Sequence, residues 1–123
     1  MNTPSTRGQL ERTLNQQIQA LYREFMGHSP KNVSCNLADT KITIVLEDSL
    51  TPAESRLMES GQVELASQVR DNLDEGLKPQ LKTLIEKVTG VAVIDLISGA
   101  TLETGLTGVI AVLSEAPLLR ATS

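Results

Sequence analysis

Aromatic residues are nearly missing from this chain: its 123 residues include one Tyr, one Phe and no Trp. The core therefore has to be assembled from Leu, Ile, Val, Met and Ala, and stacking platforms for bases or sugar rings are scarce. Cysteine is just as rare. A lone Cys35 excludes an intramolecular disulfide, and no cluster of metal-ligand spacing surrounds it. Basic residues are outnumbered, 11 Lys and Arg against 15 Asp and Glu for a net charge of −4. That balance opposes non-specific nucleic-acid binding, which depends on cationic side chains displacing phosphate counterions. No apolar run approaches the ~18 residues that span a bilayer, and the opening MNTPSTRGQLERT lacks the apolar core of a signal peptide. The expectation is a cytoplasmic protein with no cofactor, no metal, no nucleic-acid partner and no direct membrane insertion.

The rest of the composition, 40% hydrophobic and 21% charged, is ordinary for a soluble globular protein, and the length suits one domain of ~100–150 residues. Residues 1–6 are polar and carry Pro4, so a flexible N-terminus is expected. From Gln9 to Met26, Leu10, Leu14, Ile18, Leu21, Tyr22 and Phe25 recur at steps of three and four, one stripe of a helix. Gly27 supplies its C-cap and Pro30 forbids continuation. Asn32–Ala38 alternates with Val33, Cys35 and Leu37 in phase. Lys41–Glu47 alternates with Ile42, Ile44 and Leu46 in phase, and Asp39-Thr40 between them predicts an antiparallel hairpin. Val45 is apolar on the second face, which predicts fuller cover for this strand.

A long helical stretch from Leu50 to Thr89 organises the chain. Thr51 is its N-cap, Pro52 sits at the first helical position, and Glu54 closes a capping box. Gly61 predicts a break or bend, and Gly76 with Pro79 a kink around residues 75–79. The apolar series Val63, Leu65, Ala66, Val69, Leu73, Leu77, Leu81, Leu84, Ile85 and Val88 forms a ladder that ends at Gly90. Val91–Ile97 reads as a strand, 98–105 as a loop of Ser, Gly and Thr, and 106–113 as a second strand, with 115–123 a tail. The predicted architecture over 7–114 is α+β in two layers. It comprises a four-stranded antiparallel sheet of two hairpins, with the N-terminal helix and a long kinked central helix on one face. The leucine-rich helical surface exceeds what one small sheet face obviously needs. A homodimer burying part of it is expected, unless the kink folds both halves onto the same sheet.

Candidate reactive residues each have a plainer reading. His28, the single histidine, is a candidate proton acceptor or metal ligand, but with no second ligand nearby a solvated turn histidine is favoured. Cys35 lies on the apolar phase of a strand, the place of a buried small hydrophobe rather than a reactive thiolate. Ser29, Ser34 and Ser49 belong to no nucleophile elbow. Glu54, Glu59, Glu64, Asp71, Asp74, Glu75 and Glu86 interleave with Arg56, Arg70, Lys78, Lys82 and Lys87, the pattern of a solvated helix face. The glycines around Ser98 and Glu103 lack phosphate-loop spacing. No catalytic, cofactor-binding or metal residue is assigned, and His28, Ser29, Ser98 and Glu103 stand as candidate partner or ligand contacts.

Four stretches have a familiar form: Tyr22-Arg23-Glu24-Phe25-Met26-Gly27-His28-Ser29-Pro30, Leu50-Thr51-Pro52-Ala53-Glu54-Ser55-Arg56-Leu57, the helix from Val69-Arg70 to Leu81, and Glu86-Lys87-Val88-Thr89-Gly90-Val91-Ala92-Val93. Over residues 7–113 the chain resembles the MpsC-like family of small bacterial domains, with Leu-Thr-Pro-x-Glu the strongest part of the likeness. Ser29 departs from that pattern where a second glycine is usual, and Val91 where a basic residue is common. The resemblance implies a soluble accessory component of membrane complexes that handle sodium or inorganic carbon, and it carries no catalytic residues over. A non-enzymatic regulatory domain, homodimeric and binding a partner protein of a cation (Na+) or bicarbonate transport system, is the expected function. The alternative is a small-ligand sensor using the 28–30 turn or the 98–105 loop.

Overall fold

The first helix, α1 (Arg7–Met26), begins two residues before the apolar stripe suggests, because Thr6 and Gln9 build a reciprocal capping box. It ends on Gly27, whose φ of 70° is the left-handed conformation that glycine adopts without a Cβ penalty. Leu10, Leu14, Ile18, Tyr22 and Met26 are buried along one face. The computed structural model describes residues 4–121, so the expected flexible ends fall partly outside the described residues. Within them Pro117 is buried and the Arg120 amide donates to the Ser5 carbonyl at 2.9 Å.

Strands β1 (Asn32–Ala38) and β2 (Lys41–Glu47) pair antiparallel, with Ala38 opposite Lys41 across the Asp39-Thr40 turn. Both bury every second residue, Val33, Cys35 and Leu37 from one and Ile42, Ile44 and Leu46 from the other. Val45 does not receive the fuller cover expected of it. It is 39% exposed, because both long helices pack on the opposite face of the sheet.

The helical stretch from 50 to 89 is two helices. α2 (Pro52–Glu59) has the capping box of Thr51 and Glu54, and α3 (Val63–Thr89) follows after a break at Gly61, whose φ is 80°. α3 runs to the left-handed Gly90 with Pro79 inside it, so the single hydrogen bond lost there does not divide the helix. Gly76 lies where α3 meets α1: a Cβ there would stand 3.0 Å from Phe25 Cζ. Leu77, Leu81 and Ile85 enter the core, and Leu73, Leu84 and Val88 pack against it. The apolar ladder is thus spent mostly within the chain, leaving Val63 and Leu65 exposed near the start of α3.

β3 (Val93–Thr101) and β4 (Leu106–Leu113) form the second hairpin, and the sheet order is β1-β2-β4-β3. The architecture is the α+β fold expected, one antiparallel four-stranded sheet with three helices. Both ends of β3 differ, for it begins at Val93 rather than Val91. The 98–105 segment is not a loop, since Ser98, Gly99, Ala100 and Thr101 continue the ladder opposite Val109, Gly108, Thr107 and Leu106. Backbone pairing tolerates small polar residues on an edge strand, so composition alone misplaces the boundary. The turn is confined to 102–105 and closes on Gly105 at φ 72°.

Candidate functional site

Four side chains from three helices converge beneath the 48–51 segment that links β2 to α2. They are Tyr22 of α1, Glu54 of α2, and Arg70 and Asp74 of α3. Arg70 is 2% exposed and Glu54 fully buried, positions that charged residues occupy only when paired. The Arg70 Nε–H donates to Glu54 Oε2 at 2.7 Å and one terminal nitrogen donates to Glu54 Oε1 at 2.6 Å, a bidentate ion pair. That nitrogen also donates to the Ser49 carbonyl at 3.0 Å. The other terminal nitrogen donates to the Tyr22 hydroxyl at 2.6 Å and to Asp74 Oδ1 at 3.2 Å. All five guanidinium N–H groups thereby have acceptors.

The acceptors are fixed in turn. Tyr22 donates its own proton to the Ser49 carbonyl at 2.6 Å, so that one backbone oxygen ties α1 to α3. Glu54 Oε1 also accepts from the Thr51 amide at 3.1 Å and the Thr51 hydroxyl at 2.9 Å. The helix cap of α2 and the buried ion pair therefore share one carboxylate. Ser49 extends the network to the second hairpin. Its amide and hydroxyl both donate to the Gly105 carbonyl, at 2.9 and 2.8 Å, and Thr107 lies 2.8 Å from the hydroxyl. Since the Ser49 proton is committed to Gly105, Thr107 is the donor in that last contact.

Burial works to raise the Glu54 pKa, but the hydrogen bonds from Arg70 and Thr51 outweigh it and hold the carboxyl below its usual range. Burial likewise acts to lower the Arg70 pKa and is overcome by Glu54 and Tyr22, leaving the guanidinium more basic than usual. Tyr22 is shifted up by burial against the pull of Arg70, and Asp74 is also shifted up by burial, which Arg70 offsets only in part. The ionised Glu54–Arg70 pair is thus the stable state at neutral pH. With its donors satisfied, the cluster acts as a clamp that joins all three helices to the 48–51 segment.

A small cavity of about 20 Å³ lies beside the clamp, lined mainly by Ile18, Leu77, Leu81 and Val109 with Asp74 and Ser98 at its polar side. That is room for one water and not for a metabolite.

The sequence candidates are not brought together at this centre. The His28 ring lies 2.9 Å from the Asp48 carbonyl through Nε2; a carbonyl can only accept, so Nε2 carries the proton. Ser29 lies 3.4 Å from the Gln19 amide nitrogen, Ser98 borders the small cavity, and Glu103 is exposed in the β3–β4 turn. Asp48 and Ser49 are nevertheless the point on which the 28–30 turn and the 102–105 turn both bond. Cys35 is buried, its thiol pushed up to about 12 by burial and by the nearby Glu11 carboxylate. Among the described residues no group of three or more His, Cys, Asp or Glu has the arrangement to hold a metal.

The solvated-face reading of the helical charges is wrong for Glu54 and Arg70, which are buried, and for Asp74, which is largely so. A signal was available. Ala66, Arg70, Leu77, Leu81 and Ile85 share one helical face, so Arg70 occupies a core position in the apolar phase.

A family model described as Na+-translocating membrane potential-generating system (MpsC) matches residues 6–115. Neither the curated proteins nor the solved structures yielded a match.

Proposed function

The chain belongs to the MpsC family, and from that premise we propose that it is a non-enzymatic accessory or regulatory protein. It acts as a homodimer on the cytoplasmic side and binds a protein of a cation (Na+) or bicarbonate transport system. The family match over nearly the whole domain carries this reading, because the family is linked to a Na+ membrane-potential system. Two structural features support it. Among the described residues no helix is long and apolar enough to cross a membrane, so the contribution to such a system would come through contacts with another chain. The buried polar cluster spends its donors on internal bonds, the economy of a structural clamp.

Affinity purification of the tagged protein from its native cell in a gentle detergent tests the reading. Recovery of a membrane transport protein in proportion to the bait is expected, and recovery of none would count against it. The sensor alternative gains nothing from the cavity beside Ser98, whose volume suits a single water.

A further inference from the structure

The two edges of the sheet are treated differently. At the β1 edge α1 packs alongside, and the Glu11 carboxylate accepts the outward Leu37 amide at 2.7 Å. Among the described residues the β3 edge has no such cover along its second half. The Leu113 amide bonds the Thr40 carbonyl at 2.7 Å, so odd-numbered residues of β4 turn their backbone toward β2 and even-numbered ones toward β3. Through the register, Ile97, Gly99 and Thr101 bond β4, opposite Ile110, Gly108 and Leu106. Leu96, Ser98 and Ala100 consequently turn their N–H and C=O groups away from the sheet. The Leu96 amide is met by its neighbour Asp95 at 2.9 Å; those of Ser98 and Ala100 find no acceptor among the described residues. An open, uncharged edge of this kind is a template for another strand.

We propose that a second copy of this chain occupies it, with β3 antiparallel to the partner's β3 and Ser98 on the two-fold axis. Ser98 then exchanges both backbone bonds with the partner's Ser98, and Leu96 does so with the partner's Ala100. Side chains and charges fit the same register. Ile97, 56% exposed, falls opposite the partner's Gly99. There the adjacent Gly99 and Gly108 leave a bare patch, with no atom of the described residues, chain neighbours aside, within 4 Å of where either Cβ would stand. Leu96 to Leu102 carry no charge, and Asp95 falls opposite the partner's Thr101, so no like charges face one another. The exposed Glu103 lies past the end of the pairing, toward a groove lined by the partner's Lys78 and the partner's Lys82 together with the partner's Asp95. The bulge between Val93 and Asp95 ends the flat edge and limits the pairing to this stretch.

This inference rests on the homodimer in the functional proposal and places its interface. Light scattering after size exclusion, from micromolar to submillimolar protein, should give twice 13.3 kDa for the native chain. Ser98→Pro removes an N–H aimed at the partner and none used by β4, so it should give 13.3 kDa with an unchanged circular dichroism spectrum. Ile97→Lys, at an exposed site, should do the same and stands in if the proline variant does not fold. A native chain that is monomeric throughout would overturn both the pairing and the dimer. A dimer that survives both substitutions would overturn the pairing and leave the dimer standing.

Discussion

Replacing Arg70 by Met should strand the buried charge of Glu54. The substitution keeps an apolar stem of similar length and removes five donors. The Ser49 carbonyl retains the Tyr22 hydroxyl, and Asp74, whose side chain is 13% exposed, can draw on solvent. Glu54 cannot. It is fully buried and keeps only the two bonds from Thr51. Breaking a buried pair on one side costs about 3–5 kcal/mol, a large share of the ~5–15 kcal/mol that holds a small domain together. Urea unfolding at constant m-value reads this as a lower midpoint.

The pH dependence supplies a signature. In the native chain the Glu54 pKa lies below its ordinary 4.5, so its contribution is complete above that value and is lost as pH falls through the folded pKa. Without Arg70, burial dominates and the folded pKa rises above 4.5, so the variant should gain stability as pH falls from 7 toward 5 while the native chain does not. Pairing Arg70→Met with Glu54→Leu should restore most of the loss, since an apolar replacement of a buried pair is often neutral. A loss of under about 1 kcal/mol, the value of an exposed pair, with no reversal in acid, would refute the buried clamp.

Three further outcomes are expected. Asp74, whose folded pKa lies above its ordinary 3.8, gains in stability contribution as pH falls toward 3.8, opposing Glu54; Asp74→Asn should therefore steepen the acid loss of stability on the approach to pH 3.8, measured by urea midpoints across pH, and an unchanged slope would contradict the assignment. The Cys35 thiol, shifted from 9.0 to about 12, should hold roughly a thousandfold less thiolate at neutral pH and resist iodoacetamide until the protein is unfolded; labelling at the rate of a free thiol would show the strand face to be open. Gly76→Ala should add up to ~1 kcal/mol of helix propensity, but only in a Phe25→Leu background, because Phe25 Cζ stands 3.0 Å from the new Cβ. Equal melting shifts in both backgrounds would remove that contact from consideration.

Much of the fold was legible because its signals are local. Leu10, Leu14 and Ile18 mark a helix face, Val33, Cys35 and Leu37 a strand face, and Thr51-Pro52-Ala53-Glu54 a helix start, all through spacings of a few residues. The second half of β3 was not legible, since Ser98-Gly99-Ala100-Thr101 has the composition of a loop and becomes a strand only by pairing with 106–109. Val45 departs from expectation for a related reason: periodicity gives its face but not whether a second layer covers it. The clamp was legible in part. The Thr51–Glu54 spacing marks Glu54 as a cap, and Arg70 stands in phase with Ala66 and Leu77, but the pairing spans 16 residues and a helix break.

The sequence by itself determined the elements and their caps, because backbone dihedrals, side-chain periodicity and capping bonds act within a few residues. It also determined the family, through stretches that lie mostly within single elements and their flanking turns. Only the tertiary structure decided which charges leave the solvent and which strand edge stays open. The first depends on where the 48–51 segment, α1 and α3 meet, the second on the strand order β1-β2-β4-β3 with α1 beside β1, and no local spacing encodes either. Glu54 and Arg70 read as a solvated helix face until burial places them side by side. β3 reads as a short strand until β4 lines up along its whole length and leaves its outer edge bare.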